Sequence, residues 1–162
     1  ILNDSGDIIY PVPQIIITKK TLLVDNENSK SLKRDIDILI ASDPKYFKET
    51  MEVVDLFSAF NLKIAIKIHP SQLIDDFKCK RYSDNLNLIP KDKLISDVAN
   101  KCKIFIPTCP VSSSSEAAYY SGAKVITINY GGIKLTNFVD KYIYASVNSL
   151  EELPSLIENL LD

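Results

Sequence analysis

The chain has one histidine, in the run Lys67-Ile68-His69-Pro70-Ser71. Forty positions beyond Lys67 begins a second run, Pro107-Thr108-Cys109-Pro110-Val111-Ser112-Ser113-Ser114-Ser115-Glu116-Ala117-Ala118. An imidazole changes charge near neutral pH and, in its charged form, donates to a phosphate. Consecutive hydroxyls at the start of a helix add small donors where free N–H groups and the macrodipole already favour an anion. Both runs follow short β-branched apolar segments, 62–68 and 103–106. In a parallel sheet the loops after the strands open on one edge, where such folds bind ligands. The spacing therefore predicts one anion site, shaped for one or two phosphates, holding His69 with Ser112, Ser113, Ser114 and Ser115.

Each of these residues also has a plainer role. Ser113 and Glu116 match a capping box, although a cap needs one serine and not four. Glu116 can close that box, accept from a ribose diol, or do both. Pro70 ends a strand, which puts the imidazole on the rim and not in the core. No cluster of Cys, His or carboxylate stands beside His69, so a metal site is not expected. Ser42 and Asp43 follow an earlier strand and fall near the same rim; Asp43 is otherwise an ordinary helix-start residue. Main-chain groups at Ile89 and Pro90 are placed to meet a base edge. Lys67 reads as a solvated strand-end charge, and Asn129-Tyr130-Gly131-Gly132 as a glycine turn.

The elements that position these residues alternate from residue 35 onward. Strand-like runs at 37–42, 62–68, 86–89, 103–106, 123–129 and 142–147 are apolar without polar alternation, the pattern of strands buried on both faces. Between them lie helical patterns. Residues 45–60 place Phe47, Met51, Val54 and Phe57 on one stripe, with Lys48, Glu49, Glu52 and Asp55 facing away. Residues 91–102 set Leu94, Ile95, Val98, Ala99 and Cys102 inward; 113–121 ends at Gly122, a suitable C-cap. A last helix spans 149–161, with Ser149 and Glu152 in capping-box spacing. Right-handed crossovers then give a doubly wound α/β sheet of order 3-2-1-4-5-6. Residues 1–34 differ: an extended Tyr10-Pro11-Val12-Pro13, two strand-like stretches and a polar tail read as a linker or add-on from an upstream domain.

At 162 residues the chain suits one domain, able to bury roughly 70% of its unfolded surface. The net charge of −2 supplies no basic field for nucleic acid, so phosphate binding must come from local geometry. Three cysteines without a C-x-x-C pair make a disulfide framework or zinc site unexpected and point to a reducing compartment. No apolar run approaches the ~20 residues of a membrane span. There is no G-x-G-x-x-G after the first strand, no P-loop and no G-x-S-x-G, which disfavours dinucleotide oxidoreductases, P-loop NTPases and serine hydrolases.

His69-Pro70 after one strand, and Ser113-Ser114 through Glu116-Ala117-Ala118 with Gly122-Ala123-Lys124-Val125-Ile126 after another, resemble the C-terminal, donor-binding half of GT-B glycosyltransferases. The closer likeness is to bacterial capsule and surface-polysaccharide enzymes with HP and S/T-rich motifs: sialyl-, polysialyl- and Kdo-type transferases, and polyol-phosphate polymerases with CDP-activated donors. It spans about 35–162 and is strongest over 66–128. The resemblance implies that His69 acts in catalysis and that it and Ser113 or Ser114 hold the donor phosphate. Glu116 or a neighbour would then address the ribose, and Ile89-Pro90 the base. No Arg or Lys adjoins the serines in sequence, which favours a CMP-activated sugar such as sialic acid or Kdo. The resemblance further implies a missing N-terminal domain carrying the acceptor site and the catalytic base, an isolated domain without turnover, no cofactor beyond the donor, and a cytoplasmic location, with the inner face of the membrane open to the full-length protein. The rivals are a non-hydrolysing sugar-nucleotide epimerase fragment (UDP-GlcNAc 2-epimerase-like), for which one histidine is thin provision, and a non-catalytic α/β interaction module.

Overall fold

Isoleucine-rich runs become strands here because both faces of each are covered. The computed structural model describes residues 33–77, 86–130 and 140–162. Six strands, β1 (Ile36–Ala41), β2 (Ile64–Lys67), β3 (Leu86–Ile89), β4 (Cys102–Pro107), β5 (Lys124–Ile128) and β6 (Ala145–Val147), form one parallel sheet of order β3-β2-β1-β4-β5-β6. This α/β, Rossmann-like sheet has the expected order. Among the described residues its α-helices are α1 (Phe47–Ser58), α2 (Ile95–Ala99), α3 (Ser114–Tyr120) and α4 (Leu153–Leu161). Apart from Lys33 and Arg34, the expected linker at 1–34 lies outside the described residues, as do Gly131 and Gly132 of the expected glycine turn.

Register sorts the core into two layers. Ile38 pairs with Ile64 and Ile104, and Ile40 with Ile66 and Ile106, so the even-numbered side chains of these strands share one face. With Ile126 and Ile128 they pack against Met51, Val53, Val54 and Phe57 of α1 and Leu153 and Ile157 of α4. The odd-numbered Leu39, Ala65, Phe105 and Val125 face the other way, onto Val98 and Ala99 of α2 and Ala118 of α3. Burying one such aliphatic or aromatic side chain contributes about 1.5–3 kcal/mol.

Three elements depart from expectation. The helix expected over 149–161 is α-helical only from Leu153, and Ser149 makes no side-chain cap. The helical pattern at 91–102 yields only the short α2: Leu94 is 65% exposed and Cys102 already belongs to β4. Leu94 has extended backbone and caps the helix instead of joining its face. At the other end of the sheet, β6 is three residues long, shorter than the apolar run suggested. Among the described residues, no helix is long and apolar enough to cross a membrane.

One ion pair ties β1 to its neighbour away from the ligand edge. Lys103 Nζ donates to Asp37 Oδ1 at 2.6 Å, and the Lys63 N–H donates to Oδ2 at 2.9 Å. Desolvation by itself raises the Asp37 carboxyl, but these hydrogen bonds and the two lysine charges outweigh it and hold the group below its ordinary value. The pair therefore stabilises the fold above the unfolded carboxyl's value of about 3.9, and that stability is lost as pH falls through the lower folded value. Because the Lys103 side chain is 43% exposed, the contribution stays below about 1 kcal/mol. Urea titrations should find Asp37→Asn less stable than the parent at neutral pH, with the gap closing in acid. A gap independent of pH would refute the assignment.

Candidate anion-binding cavity

The carboxyl ends of β1 and β2 meet through a polar joint. Ser42, directly after β1, is buried. Its Oγ lies 2.6 Å from Gln72 Oε1 and 3.1 Å from Lys67 O, donating to one of them at a time, and it accepts the His69 N–H at 3.2 Å. Gln72 Oε1 shares that N–H at 3.2 Å. The Gln72 N–H in turn closes a turn on His69 O at 3.0 Å, with Pro70 at the position where its fixed φ suits a turn. Ser42, expected near the ligand rim, lines the cavity, and its hydroxyl also holds the histidine's backbone.

The imidazole is oriented by its own turn. Nδ1 accepts the Ser71 N–H at 3.2 Å and lies 2.8 Å from Ser71 Oγ. A ring nitrogen that accepts a backbone N–H carries no proton, so the partners assign the tautomer protonated on Nε2. With Nδ1 turned to Ser71, the ring nitrogen left to meet a ligand is Nε2.

The serine loop is anchored where the strand order reverses. After β4, the Thr108 N–H and Oγ1–H both donate to Ala41 O, at 3.1 and 3.0 Å, and Thr108 Oγ1 lies 3.0 Å from Thr50 Oγ1 of α1. Ser112 then caps the turn: its Oγ accepts the Ser114 N–H at 3.3 Å and lies 2.6 Å from Ser114 Oγ. The Ser115 and Glu116 N–H groups donate to Ser112 O and Ser113 O, at 3.1 and 3.2 Å. This differs from the expected capping box, since Ser113 has helical backbone and makes no side-chain cap. The N–H groups of Ser114, Ser115 and Glu116 are thus already bonded within the loop, and its hydroxyls add donors for a ligand.

These pieces surround one cavity of about 400 Å³ at the carboxyl edge. After β1 it receives Ser42 and Asp43; at the end of β2, Lys67 and His69; after β3, Lys91 and Lys93; after β4, Ser112, Ser113 and Ser114. The histidine and three of the four serines therefore do converge. Ser115 does not line the cavity: it is fully buried, with Oγ lacking a partner. Nor does Glu116, whose Oε1 accepts the Tyr142 O–H at 2.7 Å. Ile89 and Pro90 line a neighbouring cavity of about 720 Å³, which Lys93 also borders. Asp43 Oδ1 accepts the Lys45 N–H at 2.8 Å and caps the turn Pro44–Tyr46.

Sequence reading missed two residues. Lys67, read as a solvated charge, is 5% exposed, and its Nζ donates to Ile68 O at 2.8 Å and Lys91 O at 3.2 Å. Desolvation lowers its pKa, with the charge of Asp92 opposing. A signal was present: Lys67 stands between core residues Ile66 and Ile68, on the side of β2 shared with buried Ala65. Gln72 carried no such signal, because its role depends on Ser42 from a distant segment. With Lys67, Lys91 and Lys93 at this cavity, the absence of a cation beside the serines in sequence no longer argues for a single phosphate. Among the described residues no group of three or more His, Cys, Asp or Glu is placed to hold a metal.

No protein-family model matches the chain, and no curated protein does. Among solved structures, the chain is similar to Thermosulfurimonas dismutans KpsC, a beta Kdo 2,4 transferase. The TM-score is 0.44 at 12% identity, over 86% of this chain and 55% of that one. The chain spans about half the length of that protein's chain.

Proposed function

We propose that the cavity holds the nucleotide of an activated sugar and that the chain is the donor-binding domain of a glycosyltransferase building a capsule or other surface glycan. The observation that carries this reading is the convergence of the single histidine and the serine run on one cavity at the switch point of the sheet. In this reading the donor phosphate meets His69 Nε2–H and the hydroxyls of Ser112, Ser113 and Ser114. The base extends towards Ile89 and Pro90, past Lys93. As the bond to the sugar breaks, negative charge builds on the departing nucleotide, and donors fixed in place before the reaction stabilise it there. The acceptor and the base that activates it come from a second domain across the cleft, so this domain alone turns over no substrate.

Titrating the protein with CMP, CDP, UMP, UDP and GDP while following amide shifts tests the proposal. The expected result is saturable movement at His69 and at Ser112, Ser113 and Ser114, with the tightest ligand naming the base and the number of phosphates. CMP is the expected winner if the donor is a sialic acid or Kdo. Silence towards all five nucleotides would overturn the reading in favour of a non-catalytic module.

A further inference from the structure

A lysine ammonium has three N–H donors and a full charge. At Lys67 two donors reach main-chain carbonyls, Ile68 O and Lys91 O, and among the described residues no carboxylate lies within ion-pair distance of Nζ. Asp92 acts on it through space, and Asp43, on the same cavity, has Oδ1 bonded to the Lys45 N–H. A charge buried to this degree is costly unless a partner of opposite sign completes it. Carbonyl dipoles orient the ammonium without neutralising it. The side chain also lines the cavity that holds His69 and the serine hydroxyls, with the exposed Lys91 and Lys93 adding positive potential on the same wall.

We infer that Lys67 is the binding cation of this cavity and that its missing counter-ion is an ionised phosphate supplied by the ligand, free or as an ester. The inference deepens the nucleotide-sugar reading of the same site, but it makes a claim of its own about charge. Lys67 grips the phosphoryl oxygens from the β2 side while the serines hold them from the β4 side. Ligands of the same shape without the phosphate gain nothing from it.

The test compares Lys67→Met with the parent, using inorganic phosphate, CMP and cytidine as probes. Affinity for phosphate and CMP should fall at least tenfold, affinity for cytidine should be unchanged, and the unliganded variant should melt no lower than the parent, because an uncompensated buried charge has been removed. Phosphate and CMP affinities within about twofold of the parent would overturn the inference. A lower melting temperature with affinity retained would likewise overturn it, making Lys67 a brace between two carbonyls. Should Lys67→Met fail to fold, the ε-methylene resonance of Lys67 in the unmodified protein decides: it should move saturably with inorganic phosphate. A resonance that stays still while phosphate binds, or an absence of phosphate binding, would sink the proposal. The two readings fail separately. Phosphate that moves Lys67, with no gain from any nucleoside, removes the nucleotide sugar and keeps the cation; nucleotides that bind with Lys67 silent do the reverse.

Discussion

Replacing His69 with Ala should weaken nucleotide binding about 10–150-fold and leave the melting temperature almost unmoved. The binding loss follows from removing a hydrogen bond to a charged acceptor, typically about 1.5–3 kcal/mol. The unchanged stability follows from the ring's surroundings: its side-chain partner is the exposed Ser71, only two residues away, and His69 itself is half-buried. The backbone of residue 69 keeps its bonds to Ser42 and Gln72 whatever the side chain. Calorimetric titration with the tightest nucleotide, beside a thermal melt, checks both halves. Retained affinity would remove the imidazole from the site; a fall in both quantities would make it a structural residue. In a full-length enzyme the same change should depress turnover, since the ring is proposed to stabilise charge on the leaving group.

That separation of side chain from scaffold recurs around the cavity. Ser42 and Thr108 are polar residues at the ends of adjacent strands, and both are buried. Each uses its hydroxyl to bond neighbouring loops together: Ser42 to Gln72 and Lys67 O, Thr108 to Ala41 O. The exposed donors, His69 Nε2–H and the hydroxyls of the serine loop, thus stand on turns whose backbones are fixed by buried polar groups. Buried polar networks of this kind hold geometry when every member is satisfied. The site needs such bracing because phosphate recognition depends on donors already aimed before the ligand arrives.

How much of this was legible in the sequence depends on the range over which each signal acts. Sheet class and strand order follow from local apolar runs and from the handedness of crossovers, and both were readable. So was Gly122 at the end of α3. The meeting of His69 with the serines was readable too, because topology alone sends the ends of β2 and β4 to one edge. What failed were choices decided by a neighbour distant in sequence or by a competing local backbone conformation. Ser113 and Glu116 have capping-box spacing, but Tyr142 takes the Glu116 carboxylate and Ser112 supplies the cap. Leu94 has helical periodicity, but that helix does not begin until Ile95. Lys67 looked like a surface charge because strand-end lysines usually are; its burial depends on the loop carrying Lys91 closing over it.

The largest stability loss from a single methyl group should come at Gly122. Its φ is +78°, and it completes the C-terminal motif of α3: the Gly122 N–H donates to Tyr119 O at 2.9 Å and the Ala123 N–H to Ala118 O at 3.1 Å. A side chain in this left-handed region costs about 1–2 kcal/mol. Here a Cβ would also stand 2.5 Å from Arg34 Nη2. A free arginine tip could swing away, but this one donates to Cys102 O at 2.9 Å, to Gly122 O and to Ser121 O at 3.4 Å, joining β4 to the end of α3. Displacing it forfeits bonds that contribute about 0.5–1.5 kcal/mol each. Gly122→Ala should therefore cost about 2–4 kcal/mol, a drop of roughly 5–15 °C in melting temperature for a chain of this size. The collision and the backbone strain separate in a cycle with Arg34→Met. Once the guanidinium is gone the alanine should cost only its backbone term, so the double variant should lose less stability than the sum of the two single losses. Strict additivity would show that the arginine yields freely and that φ alone makes glycine necessary at this turn.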